Sequence, residues 1–415
     1  MRDLAGGHNL QTIMHRARTG TPHLFSGVIA VGIAASILFA GRMIAIHLEH
    51  KTLHAVAPRV FQVKNQGLAF QRTAAHARDV LPLYGSSELL SPAWETAGVF
   101  FRTAPTGFQA SPVGKVGTTP LIMLQELGGL GDDLREKKIA ISLSAVWFVV
   151  SDINQYSYDA NFSLFAASEL MFGNALDLEL KRDIADRMLQ FPGTMKKNPL
   201  LGFALRRLAS GGPLDRIIFC ALWPLGKVQN AILDLQDHFA AVIYIRNGPK
   251  SSSSLHPQEL DWPSLITKAS EKASASQRGT VSGTDQQMAT RRSEAWFLQQ
   301  LGGARQWTDL ELLLRVLTKL HARPLLLSMP MDGQFYDQFG ISRSIRESYY
   351  NKMRALAQRY NFELVEFEEH DEDAPFLVHR VPQIKRVASP HLTAKGWMFY
   401  DRVLDDFFHG RVPRS

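Results

Sequence analysis

Cysteine is almost missing from this chain: Cys220 is the only one among 415 residues. That excludes an intrachain disulfide framework and any zinc site built on cysteines. No His, Asp or Glu grouping has metal-ligand spacing, and no glycine-rich phosphate loop is present, so neither a metal nor another cofactor is called for. The basic residues are scattered, without runs interleaved by aromatics, which argues against nucleic acid as a partner. No internal repeat is found. A composition of 45% hydrophobic and 20% charged residues excludes both a wholly disordered chain and a multi-span membrane protein. Cys220 falls in the run Ile217–Trp223, and the stretch 217–225, flanked by Arg216 and Lys227, is too short to cross a bilayer. It reads as core, with Cys220 a buried structural thiol lacking a basic neighbour.

What is there begins with charge. A net +7 and a pI near 9.4 suit anionic surfaces, such as phospholipid headgroups or a polyanionic envelope polymer. Residues 24–46 (LFSGVIAVGIAASILFAGRMIAI) hold 18 uncharged residues before Arg42. About 20 apolar residues span a bilayer as a helix, and an arginine near one end can snorkel to the headgroups. An uncleaved anchor is therefore expected. The competing reading is a signal peptide cut near Ala40–Gly41, but this apolar stretch exceeds the usual run of about 7–15 residues. Arg2, Arg16 and Arg18 precede the span, while Arg42, Lys51 and Arg59 follow it. The charge bias leaves the orientation open.

Beyond a lead-in over 47–78, the pattern is that of an α/β domain over 79–412. Val80–Tyr84 reads as a buried strand running into a tight turn at Gly85, and residues 118–130 as a helix closed by glycines. Lys138–Val150 reads as a strand. Residues 161–245 read as a helical insertion, with Asn174–Leu189 and Val228–Tyr244 spaced for helices. Residues 249–293 are rich in serine and poor in large apolar side chains, and are expected to form a mobile surface excursion. Then helix and strand alternate: a helix over 308–320, a strand over 324–329, a helix over 345–360, a strand over 362–367 and a closing helix over 395–408. This alternation predicts a three-layer arrangement around a parallel sheet.

In such a sheet, chemistry sits at the carboxyl ends of the strands. Three places qualify. Gly85-Ser86-Ser87-Glu88 follows the first strand, where Ser87 could be a nucleophile whose own amide faces an oxyanion; a plain helix cap by Ser86 or Ser87 is the alternative. Gly114-Lys115-Val116-Gly117 could bring a second backbone amide close, or be an ordinary loop. His391 opens the closing helix, and a late histidine behind an early serine is the chain order of many α/β hydrolases. His370 and His379 are otherwise equivalent to it. The carboxylates of 368–373, Asp371 and Asp373 among them, read as a solvated acidic face or as an orienting group for a histidine.

Taken together, several segments resemble the DltD family. They are the N-terminal span, Tyr84-Gly85-Ser86-Ser87-Glu88-Leu89, Trp223-Pro224-Leu225-Gly226-Lys227-Val228-Gln229-Asn230, Met329-Pro330-Met331-Asp332-Gly333-Gln334-Phe335-Tyr336-Asp337, Tyr349-Tyr350, and His391-Leu392 with Lys395-Gly396-Trp397. They occur in order over about 78–408. The resemblance implies an SGNH-hydrolase-like fold outside the cytoplasmic membrane, with residues 1–23 inside and a single transmembrane helix. It implies Ser87 as nucleophile, His391 as general base and backbone near Gly117 as oxyanion donor. It further implies work beside a membrane-bound O-acyltransferase of the MBOAT class, served indirectly by an acyl donor or carrier protein, in the D-alanylation of lipoteichoic acid. Two positions depart from the family. Ala388 stands where an aspartate is usual, three residues before the histidine, and Val146 stands where glutamine is usual. The leading expectation is serine-dependent acyl transfer to hydroxyls of an envelope polysaccharide or glycolipid. A non-catalytic adaptor is the alternative, and an esterase using the same pair with water is a third.

Overall fold

The computed structural model describes residues 21–59, 66–91, 93–149, 152–247, 256–278, 294–378 and 391–412. Helix α1 (Thr21–Val56) is 36 residues long, and from Leu24 on it is long and apolar enough to cross a membrane, with its most apolar stretch unburied. A short α2 (Leu68–His76) leads to β1 (Val80–Tyr84), α3 (Ala97–Thr103), β2 (Gln109–Val113), α4 (Pro120–Leu130) and β3 (Lys138–Leu143). A helical block follows: α5 (Gln155–Asn161), α6 (Leu164–Phe172), α7 (Leu178–Met188), α8 (Pro192–Lys197), α9 (Pro199–Ser210) and the 35-residue α10 (Pro213–Asn247). The chain then forms α11 (Trp262–Arg278), α12 (Glu294–Gly303), α13 (Gln306–Lys319), β4 (Arg323–Ser328), α14 (Gly333–Gln338), α15 (Arg343–Arg359), β5 (Glu363–Glu366) and α16 (Ala394–His409).

The five strands pair in the order β2-β1-β3-β4-β5, all parallel. This is the α/β architecture expected from the alternation, and it is compatible with an SGNH-like arrangement. Side chains alternate across the sheet, as the pleat requires. Ile139, Ile141, Leu143 and Leu326 join α4, α13 and α15 on one face, while Leu81, Leu83, Ala140, Leu325 and Leu327 join α3 and α16 on the other. Because the chain leaves β1 for β2 and returns past it to β3, the order reverses at β1, and the crevice beyond its carboxyl end is the preferred place for a ligand.

Strand β2 was not foreseen. Its sequence, QASPV, has a single branched apolar residue, Val113, where a strand usually shows several, and Pro112 is tolerated because β2 is an edge. Pro82, in the middle of β1, escapes conflict on the other side because pairing with β3 begins only at Leu83. Strand β3 ends at Leu143, and Ala145–Val149 winds into a 3-10 turn rather than prolonging it.

Three further expectations are corrected. Within the segment 249–293, Trp262–Arg278 is a helix whose Ala269 and Ala273 are buried, α11 lying against α16. Packing through alanines leaves no large apolar stripe for a sequence reading to find. Cys220 is exposed, not buried, and the run around it is an outward face of α10, with Ile217 65% and Leu225 56% exposed. The opposite face of α10 does the packing: Gly226 lies where a Cβ would come within 2.3 Å of the Phe172 ring, and the Asn230 amide oxygen and Ser168 hydroxyl are 2.5 Å apart. The acidic run 368–373 is solvated only in part: Glu369 and Glu372 are exposed, but Asp371 is buried.

Candidate active site

The turn after β1 is made by two glycines in contact. Gly114 has φ +145°, and a Cβ there would lie 2.0 Å from the Gly85 carbonyl oxygen; a Cβ on Gly85 would in turn meet Glu88 and Leu89 below 3.0 Å. The Gly85 amide donates to the Val113 carbonyl (3.0 Å), which holds the ends of β1 and β2 together. Ser86 is then fixed twice: its amide donates to the Glu88 carboxylate (2.8 Å), and its hydroxyl to the Lys115 carbonyl (3.3 Å). Ser87 opens a four-residue 3-10 turn, Ser87–Leu90, and is only half-buried. With Ser86 committed to the backbone, Ser87 is the hydroxyl presented outward.

Glu88 is a site residue that the sequence reading left without a role. Burial raises its carboxyl above the ordinary range, against the pull of the Ser86 amide. Its signal was modest: an acid two residues after a glycine-serine turn can reach back to cap it.

His391 comes from the far end of the chain. Its carbonyl accepts from the Val378 amide (2.7 Å), the Thr393 amide donates to the Phe376 carbonyl (3.0 Å), and Leu377 and Leu392 form an antiparallel bridge. Thr393 caps α16 through Gly396 (3.4 Å), and Gly396 is required because a Cβ would meet the Phe376 carbonyl at 2.6 Å. The His-Leu-Thr-Ala-Lys-Gly-Trp stretch is thus a clamp that aims one imidazole. Its Nε2 lies 3.0 Å from Ser87 Oγ, across 304 residues of sequence. Burial lowers the His391 pKa, so the neutral ring, the form that can act as a base, is favoured.

The candidate orienting acids are elsewhere engaged. Asp373 contacts His370 Nδ1 (3.0 Å) and accepts from Lys395 (2.5 Å). Asp371 accepts from the Tyr350 hydroxyl (2.5 Å) and the Met331 amide (2.8 Å), and burial pushes its pKa up to about 7. Among the described residues no carboxylate bonds to His391. Ala388 and His379 lie outside the described residues, and the sequence 379–390 contains no acid at all. His370 is held apart, its ring stacked 4.1 Å from that of Phe376 and edge-on to Phe399.

Gly117 has φ +82° in the loop after β2, which is tied down by Asn161: its amide group donates to the Val116 carbonyl (3.2 Å), and its oxygen accepts from Thr118 (3.2 Å). Val146 stands half-buried in the turn after β3. A cavity of about 340 Å³ lies beside the turn, lined by Leu89, Leu90, Arg59 and Arg102 among others, but neither Ser87 nor His391 is part of its wall. Among the described residues no group of three His, Cys, Asp or Glu could hold a metal.

The arrangement is a serine hydroxyl against an imidazole, with no carboxylate on that imidazole among the described residues. Comparison with known families meets it at this point: the model described as DltD protein matches residues 57–409. The chain belongs to the DltD family. The protein DltD of Bacillus subtilis (strain 168) is 25% identical over 403 residues, covering 92% of this chain and 98% of that protein. Protein DltD of Staphylococcus aureus (strain NCTC 8325 / PS 47) is 22% identical over 357 residues, covering 83% and 85%. At this identity the chain is a divergent member of the family. The signature segments divide in two: those at 84–89 and 391–397 build the Ser87–His391 pair, whereas 223–230 and 329–337 hold helices and loops together.

Proposed function

We propose that this DltD-family chain transfers a small acyl group, D-alanyl foremost, to hydroxyls of a cell-envelope polymer such as a teichoic acid. Its anchor is α1, its N-terminus is cytoplasmic and its α/β domain works outside the membrane beside an MBOAT-class acyltransferase. Ser87 Oγ attacks the acyl carbonyl carbon as His391 Nε2 takes the hydroxyl proton, and that proton then goes to the departing donor group. A polymer hydroxyl next gives its proton to Nε2 and attacks the ester carbon; the acyl–Oγ bond breaks and Nε2 returns that proton to Ser87 Oγ. The amides of Ser87 and Gly117 receive the negative charge that develops on the carbonyl oxygen.

The observation that carries this reading is the 3.0 Å contact between Ser87 and His391, made by two family segments from opposite ends of the chain. The test is labelling of the purified protein by a fluorophosphonate, which captures an activated serine. Label on the native chain, lost in both Ser87→Ala and His391→Ala, supports the acyl-enzyme.

One observation favours a second reading, that of an adaptor for the acyltransferase or the polymer: among the described residues no acid reaches His391. It wins if the native protein takes no label and polymer acylation in cells survives Ser87→Ala but fails when the whole chain is removed. A periplasmic-type reporter fused after Ser415 tests the orientation, and activity only in the cytoplasm would overturn it.

A further inference from the structure

Helix α10 carries an apolar face that the domain does not use. At 100° per residue, Phe219, Gly226 and Asn230 fall on one line and are buried, while Leu214, Ile217, Leu225, Val228, Ile232 and Phe239 fall on the opposite line and are exposed. No charged residue interrupts that outer line from Leu214 to Ile243. Contiguous apolar surface of this length marks a contact with something other than water.

The direction of the helix says with what. Arg42 of α1 bonds to Asp234 (2.7 Å), Glu49 to His238 (2.8 Å), and Leu53 and Val56 share a cluster with Tyr244 and Ile245. The pairings advance together along both helices, so the two run in the same direction where they touch. Residues before Asp234 therefore lead toward the side to which residues before Arg42 lead, and on α1 that side is the apolar span. The two apolar surfaces also meet, since a Cβ on Gly41 would lie 3.6 Å from the Phe239 ring. Trp223, its ring under the Lys227 ammonium at 5.5 Å, and the exposed Arg216 stand on the flank between the buried line and the stripe. The acids nearby are already paired, Asp215 with Arg207 and Asp234 with Arg42. An uninterrupted apolar face that starts beside an apolar span, with its cations kept to the flank, is what a helix in contact with lipid presents.

We infer that the outer face of α10 is immersed in the leaflet from which α1 emerges, so that the domain is seated on the bilayer by a second contact beside α1 and its tilt is fixed. This rests on α1 being a membrane anchor. Such seating would hold the Ser87 crevice at a set height above the surface.

Cys220, the only cysteine and exposed on α10, allows a test without substitution. The full chain is reconstituted in phosphatidylglycerol-phosphatidylethanolamine vesicles, with a nitrobenzoxadiazole probe on Cys220. In a Cys220→Ser background the probe is placed instead at Val228→Cys, at Ala35→Cys in the span, or at Gln358→Cys on the exposed side of α15. Expected are quenching of the Val228→Cys probe by a nitroxide lipid labelled near the headgroup, blue-shifted emission there and at Cys220, and several-fold weaker iodide quenching than at Gln358→Cys. The Ala35→Cys probe should respond to a nitroxide deep in the acyl chain. If Ala35→Cys reads lipid while Val228→Cys is quenched by iodide like Gln358→Cys, the anchor stands and the inference falls. If Ala35→Cys itself is in water, the anchor and the inference fall together. Shielding of Val228→Cys from iodide without quenching by either lipid would assign the face to a protein surface, such as a second copy, and also overturn the inference.

Discussion

His391 and Arg346 are both basic side chains at the carboxyl end of one sheet, yet they are held in opposite ways. Arg346 is 1% exposed and reaches Asp337 (2.6 Å), Glu372 and the Ile341 carbonyl (2.8 Å), with the Asp371 carboxylate at 3.8 Å. Around it Tyr350, the Met331 amide and the Gly333 amide all close on residue 371. His391 has one side-chain partner among the described residues, Ser87, and is aimed by its own backbone. The dense network fixes the loop after β4; the sparse one leaves an imidazole nitrogen and a hydroxyl available. A family signature is therefore not a map of chemistry, because the Met-Pro-Met-Asp-Gly segment is the better bonded and the less reactive of the two.

That contrast is sharpest in single substitutions. Ser87→Ala should remove fluorophosphonate labelling altogether and leave thermal unfolding unchanged, since a half-buried hydroxyl contributes little to packing. A residual rate of the native size would put the nucleophile elsewhere. Arg346→Met should do the reverse. Removing one member of a buried pair costs about 3–5 kcal/mol, and the lower end is expected because Asp371, already pushed up to about 7, can take a proton instead. Urea unfolding measures the loss, and the labelling rate of the protein that remains folded should hold. A fall in that rate as large as for His391→Ala would erase the distinction between scaffold and site.

The same contrast explains what could be read from the sequence. Strands β1, β4 and β5 and the helices between them were legible because branched apolar runs alternate with 3.6-residue periodicity. The pairing of Ser87 with His391 was legible from chain order together with the family segments, not from either residue alone. What escaped was whatever packs through small or polar groups: β2 with its Ser111 and Pro112, α11 with its Ala269 and Ala273, and Glu88 beneath the turn. Asp371 and Asp373 escaped for another reason. Six residues of mostly acidic sequence look solvated until Arg346, Tyr350 and Lys395 arrive from distant segments. The run around Cys220 was misread because outward apolar residues on a surface helix have the same pattern as inward ones.

A smaller effect would test whether the sparse side is short of one group. Ala388→Asp restores the acid that the family places three residues before the histidine. One hydrogen bond to a charged group is worth about 1.5–3 kcal/mol, so labelling should speed by roughly tenfold to a hundredfold if the new carboxylate reaches His391. No change would mean that this stretch does not bring position 388 to the imidazole.

The finest distinction lies in pH. The ordinary imidazole titrates near 6.5, and burial alone lowers that of His391, with no charge opposing it. The base is competent when neutral, so labelling should be fully developed above the lowered pKa and be lost as pH falls through it. The acid limb of the native profile therefore lies below the ordinary histidine value. In Ala388→Asp a carboxylate beside the ring favours the imidazolium, so the same limb should move to higher pH while the plateau rises. The two movements have opposite consequences at low pH: the substitution helps at neutrality and helps less, or not at all, in acid. A native limb above the ordinary value would show that His391 already has an anionic neighbour, and that the contrast with Arg346 is one of degree.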